Sequence, residues 1–363
     1  MNLEQFEGRK RDHIRHALED RHQAQGWSGL SSIRLLHEAL PELDFEEVSL
    51  QTPTLSFRGA PPKTLPTPFF VAGMTAGHQD AASLNLMLAR ACERRGWAMG
   101  VGSQRRELEA ILKGSSAASA AELDRWRSIR DAAPHLTIFA NLGLSQVIQA
   151  PIEVIQELVD ALTAQALCIH LNALQEVLQP EGTPQFKGGL EKIQLLAREL
   201  RTPVVLKETG CGISRATLEK LAPSEIAAVD VSGLGGTHWG RLEGARAQAS
   251  DSMRAEAAET FADWGIPTAE AVLHAREALA EPKQIWATGG VRSGLDAAKL
   301  IALGAHRVGY AQPALKAALQ GAEALEKWMA QQEFELRTAL FCTGSRNPEA
   351  LRGKEKVWTR IVR

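Results

Sequence analysis

Short apolar runs rich in β-branched residues recur along this chain, each ending in glycine or a small polar residue. Between them the apolar positions fall at helical spacing. Eight runs read as buried parallel strands: Pro68–Gly73, Trp97–Val101, Leu136–Asn141, Leu167–Asn172, Pro203–Glu208, Ala228–Ser232, Gln284–Thr288 and Arg307–Tyr310. The segments between them are amphipathic, as in Ala81–Arg95, Ile152–Ala164 and Gly294–Leu303. Eight strands alternating with helices predict an α/β chain of the (β/α)8 TIM-barrel class. Such a barrel needs roughly 250 residues. The 363 residues here therefore leave room for an N-terminal extension and C-terminal closing helices.

That division sets the expected boundaries: an extension over 1–67, the barrel over 68–345 and a tail over 346–363. Within the extension, Gly8–Ala24 reads as a helix and Glu46–Arg58 as a short hairpin. The long stretch between the sixth and seventh strands, with Trp239, Phe261 and Trp264, predicts an extra helix. Pro313–Leu340 predicts one or two closing helices, and the small-residue run Gly114–Ala121 a mobile loop.

Function in such barrels gathers at the C-terminal ends of the strands. Thr75, Ser103, Asn141, His170, Asn172, Lys207, Ser232 and Thr237 all lie at or just past a strand end. So many polar ends are costly to bury unless they serve one ligand. The segment Thr288-Gly289-Gly290-Val291-Arg292-Ser293-Gly294 after the seventh strand, with Gly309-Tyr310-Ala311-Gln312 at the eighth, suits a phosphate. Glycines let backbone N–H groups approach closely, and a helix N-terminus follows. Gly233-Leu234-Gly235-Gly236-Thr237 extends that rim after the sixth strand.

Two further groups stay open between a functional and a structural role. In His170-Leu171-Asn172-Ala173-Leu174-Gln175-Glu176, the Glu176 carboxylate either holds Mg2+ or faces solvent on a helix. The cations of Arg9-Lys10-Arg11-Asp12-His13, with Ser103-Gln104-Arg105-Arg106, either meet a diphosphate or form a solvated face.

Composition narrows the classes. A net charge of −2 offers no field for nucleic acid or an anionic membrane. Cys92, Cys168, Cys211 and Cys342 are widely spaced with no CxxC pair, which speaks against a disulfide framework or a cysteine zinc site. The N-terminus shows no apolar leader and no apolar run reaches the length of a membrane span, so the expected location is cytoplasmic.

The strings GRKRDH at 8–13, VGSQR at 101–105, HLNALQEVLQPEG at 170–182, LKETGCGIS at 206–214, VDVSGLGGTHW at 229–239 and GGVRSGLD at 289–296 together resemble type 2 isopentenyl-diphosphate isomerases, the FMN-dependent form. The likeness runs nearly end to end, and the 170–182 string is its most specific part. It implies FMN against Gly73, Met74, Thr75, Ser103, Asn141, Lys207, Ser232 and Thr237. The phosphate end of FMN would lie on Gly290, Val291, Arg292, Ala311 and Gln312. It implies a diphosphate substrate among Arg9, Lys10, His13, Ser103, Gln104, Arg105, His170, Asn172 and Gln175, and Mg2+ on Glu176. Gly73, His238 and Gln312 depart from the family pattern.

The implied reaction interconverts isopentenyl and dimethylallyl diphosphate in isoprenoid biosynthesis. An alkene is a poor base, so the site needs a strong, dry acid. Reduced FMN would supply it, with Lys207 and Gln175 as the catalytic side chains and NAD(P)H only as reductant. A homo-oligomer, tetramer or octamer, is implied as well. The alternative is a hydride-transferring flavoenzyme of the 2-hydroxy-acid oxidase type. Those enzymes resemble one another in a His-Gly-Gly-Arg string, where this chain has Gly-Leu-Gly-Gly-Thr at 233–237.

Overall fold

The computed structural model describes residues 12–74, 81–114, 116–247 and 251–361. Eight parallel strands close into a barrel, each hydrogen-bonded to its sequence neighbours. They are Phe69–Val71, Ala98–Gly100, Ile138–Gly143, Ala166–Leu171, Val204–Glu208, Ala228–Asp230, Gln284–Ala287 and Arg307–Tyr310. The eighth closes on the first with Val308 opposite Phe69 and Tyr310 opposite Val71. All eight expected runs are strands, trimmed or shifted by a few residues at their ends.

Period-two alternation divides each strand between two cores. Outward residues such as Phe69, Val71, Ile138, Leu142, Leu167, Ile169, Leu206 and Val229 pack under the helices. Inward residues Phe70, Ala98, Phe139, Ala166, Cys168, Val205, Ala228 and Trp286 fill the barrel. Three aromatic rings plug its lower half: Trp286 lies 4.9 Å from Phe139 and 5.3 Å from Phe70, centroid to centroid. Two residues further along five strands the inward position turns polar. Phe139 is followed by Asn141, Cys168 by His170, Val205 by Lys207, Ala228 by Asp230, and Trp286 by Thr288. The floor of the site is therefore a polar layer resting on an aromatic one.

Below the plug, Arg307 is fully buried and held against Trp286, 5.5 Å from the ring. Its guanidinium donates to the Pro53 carbonyl at 2.8 Å, and Gln284 donates to Thr54 O at 3.0 Å. Those acceptors belong to a hairpin of Thr52–Pro53 with Thr64–Leu65. The expected hairpin at Glu46–Arg58 is thus displaced. Residues Phe45–Glu47 form a 3-10 turn, and the strand pair forms where the barrel floor supplies partners.

Three other expectations change. Helix is described over residues 12–18, followed by a 3-10 turn at Asp20–His22 rather than one helix to Ala24. The Gly114–Ala121 run is not a loop: Ser116–Ala132 is helical, as its alanines favour. Between the sixth and seventh strands the one extra helix expected is two among the described residues, Trp239–Ala247 and Ser252–Thr260, ahead of Thr268–Ala278. After the barrel, Gln312–Leu319 and Ala322–Phe341 close the ring. Strand Trp358–Arg360 pairs antiparallel with Ile33–Leu35, joining the two ends of the chain. Among the described residues, no helix is long and apolar enough to cross a membrane.

Truncating Trp286 to Ala should lower unfolding stability by about 3–5 kcal/mol, because it removes the largest ring of the plug and leaves a cavity. Urea denaturation followed by circular dichroism measures this, and a loss under about 1 kcal/mol would mean the plug collapses freely around the gap.

Candidate active site

The main cavity opens at the C-terminal ends of the strands. Among its lining residues is Lys207, at the end of the fifth strand. The ammonium donates to Asp230 Oδ2 at 2.8 Å and to Thr288 Oγ1 at 3.0 Å. Asp230 is almost fully buried. Its Oδ1 accepts from the backbone N–H of Ser232 at 3.2 Å and of Thr288 at 3.1 Å, and from the Thr288 hydroxyl at 2.9 Å. One carboxylate thus holds the ammonium and fixes the start of the loops after the sixth and seventh strands.

Those loops interlock backbone to backbone. Gly289 and Gly290 have φ of +102° and +74°, and a Cβ on them would lie 2.1 Å from Gly233 O and 2.5 Å from Gly235 O. Arg292 clamps the junction, donating to Gly290 O at 2.9 Å and Gly235 O at 3.2 Å. Gly290, Val291 and Arg292 line the cavity with Ala311 and Gln312, and the helices Gly294–Leu303 and Gln312–Leu319 begin beside them. A rim of glycine backbone below helix N-termini is the geometry that accepts a phosphate. Gly73, one of the departures, is forced locally: a Cβ there would lie 2.2 Å from Val101 O. His238, another, is buried and does not line the cavity, and its Nδ1 accepts from Arg241 N at 3.2 Å.

On the opposite wall the orientations are set in series. Asn141 Nδ2 donates to Val101 O at 2.9 Å, so its Oδ1 faces His170 Nδ1 at 2.8 Å. An amide oxygen only accepts, so His170 carries its proton on Nδ1 there. Asn172 stands at the N-cap position of the short helix Ala173–Leu178 without a side-chain capping bond; its Nδ2 donates to Glu176 Oε1 at 2.9 Å, while Oδ1 is buried without a hydrogen-bond partner. Thr183 N donates to Glu176 Oε2 at 2.5 Å. Gly182 makes this turn possible, since a Cβ there would lie 1.9 Å from Glu176 O. Glu176 is buried and lines the cavity, so the solvent-facing alternative for it does not hold.

Above this wall sits Glu243, a fully buried carboxylate that the sequence pattern did not single out. Its Oε1 accepts from Gln175 Nε2 at 2.8 Å and lies 3.0 Å from His13 Nε2, and Arg246 pairs with Oε2. Burial alone would raise the Glu243 pKa, but His13, Arg246 and Gln175 outweigh it and hold the group at about 2. His13 and Gln175 line the cavity, so Glu243 ties the N-terminal segment to the 170–182 wall. The same segment pairs Gln23 with Thr237, Gln23 Nε2 lying 3.1 Å from the hydroxyl.

Met74, Ser103, Arg105 and Ser232 also line the cavity. Arg105 is paired with Glu109 at 2.8 Å. Gln104 is a correction: it is fully buried, and its side chain accepts from Asn141 N at 3.1 Å rather than facing the cavity. Thr75, Arg9 and Lys10 lie outside the described residues. Also missed were Asp230 and Glu208, and the hydrogen bonds that Thr288 makes to Lys207 and Asp230. Glu208 Oε2 accepts from four successive N–H groups, Thr209 to Gly212. Burial pushes its pKa up to about 7 against those donors and Lys207. The period-two rule would have found Asp230 and turned Thr288 inward beside it, since both continue inward positions. Nothing local marks Glu243.

Comparison with known proteins agrees with this geometry. Residues 171–359 match the family of FMN-dependent dehydrogenases. The isopentenyl-diphosphate delta-isomerase of Bdellovibrio bacteriovorus is 51% identical over 355 residues, 97% of this chain and 98% of that one. One from Legionella pneumophila is 47% identical over 96% and 97% of the two chains, and one from Halobacterium salinarum 40% over 97% and 94%. Among solved structures, a lactate oxidase of Pediococcus acidilactici superposes with a TM-score of 0.66 at 17% identity, covering 100% of this chain and 95% of that one. A mandelate oxidase solved with an FMN adduct gives 0.58 at 16% identity, covering 92% and 91%. The oxidases share the fold alone.

The pKa of Glu243 sets a pH signature. A carboxyl held at about 2 when folded, against an ordinary 4.5, adds stability that is complete above 4.5 and lost as pH falls toward 2. Urea unfolding should show the wild type more stable than Glu243→Gln by on the order of 3 kcal/mol at pH 7, the gap closing between those two values. A gap that ignores pH would assign the loss to packing instead.

Proposed function

The chain belongs to the isopentenyl-diphosphate delta-isomerase family, and on that premise we propose that it interconverts isopentenyl and dimethylallyl diphosphate with FMN as its bound cofactor. The observation that carries the reading is one cavity that combines a glycine-backbone rim, a buried ammonium and the Asn172–Gln175–Glu176 wall. The rim fits FMN on its own terms, because Gly290, Val291 and Arg292 line the cavity with Ala311 and Gln312 beside the starts of two helices. In this reading Gly290 to Arg292, Ala311 and Gln312 hold the phosphate end, and Gly73, Met74, Thr75, Ser103, Asn141, Ser232 and Thr237 the rest.

When bound and reduced, FMN supplies ring nitrogens that can give and take protons, the strong dry acid an alkene demands. The chain supplies the surroundings. Lys207, fixed by Asp230 and Thr288, sets a positive charge at the base of the site, where low dielectric makes it count. His170 is oriented by Asn141 to present Nε2, which becomes a charge-assisted donor to phosphate oxygen once protonated. Gln175 is held by Glu243, and His13 and Arg105 bring cations to the diphosphate. Arg9 and Lys10 join them.

Glu176 is proposed to hold Mg2+. The orphaned buried Oδ1 of Asn172, an acceptor beside that carboxylate, suits a second oxygen contact to such a cation or its water. NAD(P)H is proposed only as the reductant, since isomerisation has no net redox change. A cytoplasmic homo-oligomer completes the proposal.

Two measurements test this reading. The purified protein should be yellow, and the oxidised form should isomerise isopentenyl diphosphate negligibly until dithionite or NADPH is added without oxygen. Reductant should be consumed only in proportion to flavin. One NADPH oxidised per product would favour a hydride-transferring enzyme instead. Glu176→Gln should retain flavin colour but lose at least about tenfold in turnover, with a weakened Mg2+ dependence, because an amide is a poorer ligand than a carboxylate. Unchanged Mg2+ dependence would return Glu176 to a purely structural role.

A further inference from the structure

Outside the cavity, on the same N-terminal segment, His16, Glu19 and His22 bring one nitrogen or carboxylate oxygen each within 4.8 Å of one another. We propose that these three residues form a binding site for a transition-metal dication of the zinc type, separate from the hard-cation site at Glu176. The proposal does not depend on the flavin reading.

Both imidazoles are buried, 7% and 3% exposed, where histidine is ordinarily intermediate. His22 Nδ1 lies 2.9 Å from the His16 carbonyl oxygen. A carbonyl only accepts, so the His22 proton sits on Nδ1 and Nε2 keeps a free lone pair. The Nδ1 edge is also the one 3.7 Å from Glu19 Oε2, so a metal on Nε2 requires the His22 ring to turn its free nitrogen toward the carboxylate. His16 Nδ1 lies 3.1 Å from Glu19 Oε1, yet the atom is buried and makes no aligned hydrogen bond.

Two imidazoles and a carboxylate with a position left for water match the coordination of zinc. Two cations must yield. Arg15 Nη2 lies 3.2 Å from His16 Nε2, and Arg21 Nε donates to Glu19 Oε2 at 2.6 Å. Both guanidinium groups are 67% exposed, so either can turn into solvent without opening a core.

The position gives the site a consequence. Between His16 and His22, the Ala17 carbonyl accepts from Gln23 Nε2 at 2.9 Å and from Gln312 Nε2 at 3.1 Å. His22 O accepts from His238 N at 2.8 Å. His13, Ile14, Ala17 and Gln23 line the active-site cavity. A metal here would brace, from behind, the turn whose front face covers the cavity.

Calorimetric titration of Zn2+ into chelator-treated, flavin-loaded protein should show one binding event per chain. His16→Gln and His22→Gln should each weaken it at least tenfold, whereas Glu176→Gln should not. Mg2+ in excess should leave the event in place, because a nitrogen-rich set discriminates against it. No stoichiometric binding overturns the proposal. So does binding that survives both histidine substitutions, which would belong to Glu176 or to a cysteine. Should either histidine variant lose the wild-type circular dichroism, Glu19→Gln decides on a partly exposed position, and full affinity there also overturns the site.

Discussion

The Lys207–Asp230 pair is the interaction on which the rest of the site depends. Two opposite charges buried inside a barrel are not cheap, and their mutual attraction repays desolvation only when the remaining hydrogen-bonding capacity is filled. Here it is filled by Thr288 and by two backbone N–H groups, so the cost is met by ordering the loops that carry them. Ser232 pays part in strain, with φ at +35° although it is not glycine. A single carboxylate therefore converts barrel closure into loop geometry. If the strands slipped by one residue, Lys207 and Asp230 would both point into the helices, and neither the ammonium nor the glycine rim would survive.

The aromatic plug beneath gives that pair its dielectric. Trp286, Phe70 and Phe139 exclude water from below, and Thr288 continues directly from Trp286. From above, the cover is assembled from a distant part of the chain. The Ala24 N–H donates to Gly236 O at 2.8 Å, and Gln23 pairs with Thr237, so the N-terminal segment joins the sixth-strand loop as an added edge. His13 and Gln175 then share Glu243. The extension is thus part of the wall, secured at its far end by the pairing of Ile33–Leu35 with Trp358–Arg360.

How much of this could be read from the sequence follows from the range of the forces involved. Strand identity is local, set by alternation and by the glycines that end each run, and the eight strands were legible for that reason. So was the rim, because a glycine at 289 or 290 answers to a backbone contact that no other residue permits. The hairpin at Thr52–Pro53 was misplaced because its register is set by Arg307 and Gln284, more than two hundred residues away. Ser116–Ala132 was misread because a run of small residues signals mobility and helix propensity alike. Glu243 was invisible because a glutamate on a helix is ordinarily solvated, and only His13, Arg246 and Gln175 together explain its burial.

The contrast with the oxidase fold shows where function is decided. At 16–17% identity those structures share the closed barrel, so the barrel itself cannot choose between hydride transfer and proton transfer. The choice lies in what the strand ends present. A hydroxy-acid oxidase needs a base and a cation for a carboxylate, and here the sixth-strand loop is Gly233-Leu234-Gly235-Gly236-Thr237, with neither histidine nor arginine and with its glycines packed against Thr268, Ser28 and Gly290. A Cβ at Gly235 would lie 2.4 Å from Ser28 Cβ. The polar groups gather instead on the fourth strand and the helix after it, where Asn172, Gln175 and Glu176 share one turn. The same N-terminal segment that covers the cavity thus also packs on the sixth-strand loop, through Ser28 on Gly235 and Ala24 N on Gly236 O, so the extension and that loop are built as one wall.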